Sequence, residues 1–216
     1  MRGRPAYIGP VTVTLLPFEL PGTQAVADRS LPADADQEAA DAAQHDFEAA
    51  RRSDCGAFVR LVRRHQARVY SLALRLTGRP EDAEELAQDT FLGLYGRLRH
   101  LESALHVRHW VCRTVTHRSI DLLRSRGRRP QSESIDAMML EIPVEEAGGD
   151  PLLHRTLRAL VLRLPEIPRA VLVLRFQEDL DPLDIAATLD LPLNTVKSHL
   201  RRSLEWLRGQ GLEMPR

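Results

Sequence analysis

Apolar residues recur along this chain at the three- and four-residue spacing of a single helix face, and the alternation expected of a half-buried strand is scarce. The first helical block covers about residues 54–129. Asp54 is placed to cap a helix bearing Phe58, Leu61, Val62, Val69 and Leu76. Thr77 and Gly78 end it, and Pro80 opens a second helix at the position where proline is tolerated. That helix runs to about Leu98, and a third covers about residues 107–126. A second block, about residues 151–207, carries more helices, with breaks predicted at Pro165, Pro168 and Pro192. Between the blocks, GRRPQSESIDAMMLEIPVEEAGGD turns polar, acidic and glycine-bearing, as linkers do. The start of the chain mixes Pro, Gly, Asp and Ala without sustained periodicity. The pattern predicts an all-α protein: a disordered tail 1–45, a helical domain 46–129, a flexible acidic linker 130–150, and a second small helical domain 151–216 ending in a helix-turn-helix.

The last of these elements carries the clearest chemistry. From Pro182 the order is helix, short turn, helix, with Ala186 and Ala187 small enough for a close crossing. Asp190 falls where such a turn wants a left-handed residue, a conformation that Asp tolerates. In LDLPLNTVKSHLRRSLEWL, helical periodicity gathers Val196, Leu200, Leu204 and Leu207 into one stripe. Asn194, Ser198, Arg201, Arg202 and Glu205 lie on the reverse side, flanked by Thr195 and Lys197. An apolar stripe turned inward, with amide, hydroxyl and cationic groups turned outward, suits a helix in the major groove of DNA. Arg201 and Arg202 both sit near the groove-facing side, so spacing alone does not say which meets a base and which a phosphate.

Charge sharpens this picture, because the formal net charge of zero conceals segregation. Residues 24–50 hold seven acids against one arginine, residues 113–129 six arginines against one acid, and residues 131–150 six acids with no lysine or arginine. A binding surface responds to such local potential rather than to the sum. Composition mainly excludes. A hydrophobic content of 43% supports packed cores, and no apolar run is long enough to span a bilayer. The start imitates a secretion signal, but Pro10, Thr12, Thr14, Pro17 and Glu19 interrupt its apolar stretch. Cys55 and Cys112 are too few for a disulfide framework, so a cytoplasmic setting is expected. No catalytic constellation, phosphate-cradling glycine loop or cofactor motif stands out.

Two faces of the first block remain to be read. On the second helix, Ala83, Leu86, Ala87, Phe91, Leu94 and Leu98 share an apolar face. Opposite them lie Glu81, Glu84, Glu85, Gln88 and Asp89, with Leu92 in their midst. Solvation accounts for the carboxylates, whereas an acid-ringed leucine suits docking onto a basic protein surface. On the third helix, His106, His109, Arg113, His117 and Arg124 fall within about 80° of one another, and Arg126, Arg128 and Arg129 extend the positive charge. Such a stripe suits DNA phosphates, or is simply solvated; Trp110 near its edge either packs into the core or stacks on a base. A metal site built from His106, His109, Cys112 and His117 is disfavoured, because Cys112 points away from His117.

Here a family resemblance emerges. DLDPLDIAATLDLPLNTVKSHLRRSLEWLR, with LPEIPRAVLVLRFQEDL before it, resembles the fourth conserved region of the extracytoplasmic-function sigma factors of the sigma-70 family. RPEDAEELAQDTFLGLYGRL resembles that family's polymerase-binding helix, and HVRHWVCRTVTHRSIDLLRSRGRR its promoter-melting segment, in family order. The resemblance implies a protein that binds core RNA polymerase, directs it to specific promoters and initiates transcription, with no enzymatic chemistry and no cofactor. It assigns core-polymerase binding to Glu84, Glu85, Gln88, Asp89 and Leu92. It assigns DNA contact and melting to His109, Trp110, Arg113, His117 and Arg124, and upstream promoter reading to Asn194, Thr195, Lys197, Ser198, Arg201 and Arg202. Core RNA polymerase, promoter DNA and an anti-sigma factor are the implied partners, and the free chain is expected to be a monomer.

Several positions depart from the family pattern. Asp190 and Asn194 replace frequent glycines, and His199 stands where arginine is usual. Cys112 replaces a common aromatic, His117 a common asparagine, and Arg118 an apolar residue. These departures bear on promoter choice and strand opening. The rival reading is a LuxR-type helix-turn-helix regulator that binds DNA as a dimer, since such proteins end in a string similar to TVKSHL. A third class is a pure interaction protein that sequesters another factor.

Overall fold

The computed structural model describes residues 33–127 and 151–210, which form eight α-helices, one 3-10 turn and no strand. The expected linker 130–150, residues 1–32 of the expected tail, Arg128 and Arg129 lie outside the described residues. The first domain comprises α1 (Ala33–Arg51), α2 (Cys55–Thr77), α3 (Pro80–Arg97), the 3-10 turn Leu98–His100 and α4 (Ala104–Gly127). The second comprises α5 (Pro151–Leu162), α6 (Glu166–Phe176), α7 (Pro182–Leu189) and α8 (Leu193–Gly209).

The local signals act as the sequence predicts. The Asp54 carboxylate accepts from the Ala57 amide at 3.0 Å and caps α2. Gly78 closes α2 at φ 76°, a left-handed conformation in which glycine carries no Cβ penalty. Pro80 stands in the first turn of α3. Pro165 and Pro192 are N-caps of α6 and α8. Pro168 is a correction: it interrupts nothing, because it sits in the first turn of α6, where an amide has no partner within the helix to lose.

The expected tail also needs correcting at its C-terminal end. Residues 33–45, expected to be disordered, belong to α1, and Phe47 is fully buried in the main core. Asp46 meets Arg60 at 2.7 Å and Arg64 at 3.5 Å, and Gln44 accepts from the Ala104 amide at 3.0 Å. The periodicity was faint because Ala43, Ala49 and Ala50 make up half of the described inward face of α1 and Gln44 and Asp46 are polar, which leaves Phe47 as its large apolar side chain.

The two domains pack against each other. One continuous core runs from Leu61, Val69, Leu94 and Val111 of the first domain to Val171, Leu174, Ile185 and Val196 of the second. A smaller cluster of Leu160, Leu164, Leu172 and Leu207 completes the second domain. Within the seam Arg169 is buried; its guanidinium donates to the Leu76 carbonyl at the end of α2, to the carbonyl of Leu162, the last residue of α5, and to that of Leu164 beyond it. A Cβ at Gly78 would lie 3.0 Å from the Leu162 side chain, so glycine serves both the turn and the approach of α5. Glu178, also buried, pairs with Arg68 across the same seam.

His65 on α2 is buried beside these cations. Burial first, and then the charges of Arg68, Arg64 and Arg108, lower its pKa from 6.5 to about 4. Between those values the unfolded chain takes up a proton that the folded chain refuses. The contribution of His65 is therefore complete above about pH 6.5 and is lost as the pH falls through about 4. Urea titrations from pH 7 to pH 4 should show wild type losing up to about 3 kcal/mol more than His65→Leu. Parallel losses would refute this account of His65.

Candidate nucleic-acid interface

The helix-turn-helix of the second domain is built from its caps outward. Asp181 accepts from the amides of Leu183 at 2.7 Å and Asp184 at 2.9 Å, fixing the start of α7, and Pro182 follows in the first turn. Asp190 ends α7 at φ 55°, the left-handed conformation expected from its place in the turn. The Leu191 amide then bonds to the Ala186 carbonyl at 3.0 Å, and Pro192 caps α8. Ala186 is buried at the crossing, but Ala187, expected there too, is exposed.

On α8, Val196 and Leu207 are buried, and Leu200 and Leu204 pack partly buried against the cores. Ser203, which the stripe omitted, is buried with them; it lies two turns beyond Val196. Asn194, Lys197, Arg201, Arg202 and Glu205 are exposed, while Thr195 and Ser198 are half-buried. The Ser198 hydroxyl donates back to the Asn194 carbonyl at 2.8 Å, which leaves its oxygen able to accept. The helix thus carries one outward polar face with four exposed cations, Lys197, Arg201, Arg202 and Arg208.

The first-domain stripe is placed differently. His106, His109, Arg113 and Arg124 are exposed and His117 is half-buried, on one side of α4. Three of them turn onto the second domain. Arg113 donates to the Ala187 carbonyl and to the Asp190 carboxylate, each at 2.5 Å. His117 Nε2 lies 2.7 Å from the Thr188 carbonyl, and Arg124 meets Glu166 at 3.3 Å. Arg126, read as extending the charge, instead clasps buried Asp82 of α3 within its own domain. Trp110 is half-buried, with its ring 3.2 Å from where a Cβ of Gly93 would stand. This packing favours the core reading of that side chain. Among the described residues, no three His, Cys, Asp or Glu side chains converge on a point that could hold a metal ion.

On α3, Glu84, Glu85, Gln88, Asp89 and Leu92 are all exposed, Leu92 at 59%. Asp89 pairs with Arg118 of α4, one of the positions that depart from the family pattern. Tyr95, which the sequence reading missed, is 61% exposed and meets Phe58 edge to face at 5.2 Å between ring centroids. It follows Leu92 by three residues, so helical spacing alone already put the two side by side. Leu92 and Tyr95 give the acidic face an apolar centre.

An all-helical chain in two domains, ending in a helix-turn-helix with a polar outward face, defines a class of DNA-binding regulator. Family comparisons specify which. The Sigma-70 region 2 model matches residues 61–129, and the Sigma-70 region 4 model matches residues 154–207. The ECF RNA polymerase sigma-E factor of Escherichia coli K12 is 31% identical over 171 residues, covering 73% of this chain and 88% of that one. The ECF RNA polymerase sigma factor SigW of Bacillus subtilis is 26% identical, covering 74% and 91%. SigE of Mycolicibacterium smegmatis is 34% identical over 153 residues, 68% of this chain but only 59% of that relative's length. The chain belongs to the ECF RNA polymerase sigma factors of the sigma-70 family. The LuxR-type reading is set aside, since it leaves the region 2 match without a counterpart.

Two solved structures share the fold. CnrH in complex with the cytosolic domain of CnrY has a TM-score of 0.57 at 21% identity, covering 78% of this chain and 96% of that one. The sigma factor RpoE in complex with the anti-sigma factor NepR from Bartonella quintana has a TM-score of 0.56 at 18% identity, covering 69% and 93%.

The two thiols report on the seam. Cys55 is exposed, whereas burial first, and then the charge of Glu178, push Cys112 up to about 12. A thiol reagent at pH 8 should modify Cys55 at least about 10-fold faster than Cys112, as followed by mass spectrometry of the native chain. Equal rates would show that the two domains do not shield Cys112.

Proposed function

We propose that this chain binds core RNA polymerase, places it on promoter DNA and helps open the duplex, contributing no enzymatic chemistry of its own. One observation carries the reading: α8 keeps its apolar stripe buried while Asn194, Lys197, Arg201 and Arg202 stand exposed on the opposite face. In this reading α8 lies in the major groove of the upstream element. His109, Arg113, His117 and Arg124 serve the melted region, with Trp110 packed beneath them against Gly93, and Glu84, Glu85, Gln88, Asp89 and Leu92 dock on polymerase. Two weak readers carried on one polymerase gain by effective concentration, so neither needs high affinity alone. The free chain is a cytoplasmic monomer. An anti-sigma factor is a further expected partner, supported by the fold shared with a sigma factor solved with one. Among the described residues no helix is long and apolar enough to cross a membrane.

Run-off transcription with core enzyme on genomic promoter fragments tests the whole reading, and absence of any transcript would overturn it. Leu92→Asp, or Glu85→Lys, should weaken co-purification with core polymerase while leaving the circular dichroism spectrum intact. Unchanged co-purification would remove this face from the polymerase contact.

For α8, a bidentate arginine–guanine pair discriminates by about 1–3 kcal/mol, whereas a lysine–phosphate contact is blind to sequence. Arg201→Ala or Arg202→Ala should therefore change the ranking of promoter duplexes. Lys197→Ala should weaken all of them alike and flatten the salt dependence. Binding of full-length protein to a duplex panel at several salt concentrations decides this. If both arginine variants kept the wild-type ranking, α8 would not be the reader.

A further inference from the structure

We infer that Asp190 and Glu166 stand in for DNA phosphates in the free chain, occupying the cations of α4 so that domain contact and promoter contact exclude each other. The inference rests on the proposed role of α4 in DNA contact. Its basis is the geometry of three side chains on one helix stripe. Arg113 is held by the Asp190 carboxylate and the Ala187 carbonyl, each at 2.5 Å. His117 is held by the Thr188 carbonyl at 2.7 Å, with the Asp190 carboxylate 3.8 Å away. Arg124 faces the Glu166 carboxylate at 3.3 Å. All these oxygens come from the second domain. The two carbonyls belong to the last turn of α7, the negative end of its dipole, so the site combines fixed partial charge with full carboxylate charge. Carboxylate and carbonyl acceptors converging on arginine and histidine resemble the charged and bridging oxygens of a phosphodiester.

Two positions that depart from the family pattern take part in this contact. Asp190 stands where glycine is frequent, and a glycine there would have no carboxylate to offer Arg113. His117 stands where asparagine is common. These two departures meet in the structure. The contact is also suited to yielding: the Arg113 and Asp190 side chains are 46% and 63% exposed, so their ion pair is screened by water. A polyanion can displace such a pair. Meanwhile the recognition face of α8 stays exposed, so the second reader remains available while the first is covered.

The domains also share a buried core, so the open form is a minor state, and its population is the quantity to measure. Cys112 reports it, because its thiol lies at the seam with the charge of Glu178 acting on it. Asp190→Gly keeps the left-handed turn, Asp190→Asn keeps the side-chain volume, and Glu166→Gln removes the other carboxylate away from the turn. Each full-length variant is compared with wild type, without polymerase, for the Cys112 modification rate and for affinity to a fluorescent duplex carrying a preformed bubble. Both should rise by about 2- to 5-fold, and by the same factor, as a half-exposed ion pair is lost from a closed state that excludes DNA. Faster Cys112 modification with unchanged DNA affinity would show a purely structural contact and overturn the inference, as would no change in either. Should the turn variants misfold, Glu166→Gln alone decides. Run-off transcription by wild-type protein separates the outcomes: if it fails while the variants still gain DNA affinity, the polymerase reading fails and the masking stands.

Discussion

The arrangement of the two domains depends on a buried charge whose hydrogen bonds all go to backbone carbonyls. Arg169 sits in the seam and directs its donors at Leu76 at the close of α2, Leu162 at the close of α5, and Leu164 just beyond it. Burial disfavours the guanidinium charge, but the same low-polarity setting strengthens each charge-assisted bond. Those carbonyls have no partner within their own helices, and an orphaned buried acceptor costs about 1–3 kcal/mol. One side chain therefore satisfies two helix ends and holds them together. The approach is close enough that α2 must end in Gly78, beside Leu162.

Around that joint, charge is distributed with a division of labour. Three arginines of the first domain pair within it: Arg60 with Asp46, Arg118 with Asp89, and Arg126 with Asp82. Those of the α4 stripe meet the second domain, and those of α8 face solvent. Acidic α3 keeps its exposed carboxylates around Leu92 and Tyr95, on a surface suited to a basic protein partner. A chain of zero formal net charge thus carries surfaces of opposite potential, because its charges are sorted by helix face.

Family membership sets the class of function, and the departures give this chain its own character. Asp190 does two things at once. It accepts the left-handed turn that the helix-turn-helix requires, and it presents a carboxylate to Arg113. A residue tolerated for its backbone thereby becomes a residue with a side-chain partner. Arg118, in a place that usually holds an apolar residue, is stabilised similarly by Asp89.

The sequence by itself determined the helices and their ends, because caps, prolines and glycines act within a few residues. Asp54, Gly78, Pro80 and Asp190 each do what their position in the chain predicts. It also determined the outward face of α8, since an apolar stripe at helical spacing leaves only the reverse side for Asn194, Lys197, Arg201 and Arg202. What it could not supply was the partner of each face. Helical spacing puts Arg113, His117 and Arg124 on one stripe, but only the tertiary structure turns that stripe onto α6 and α7. The inward face of α1, alanine and polar residues around Phe47, was too weakly apolar to register until Phe47 found a core to enter. Periodicity is a property of one helix, whereas burial and ion pairing belong to two, and the second helix can lie a hundred residues away.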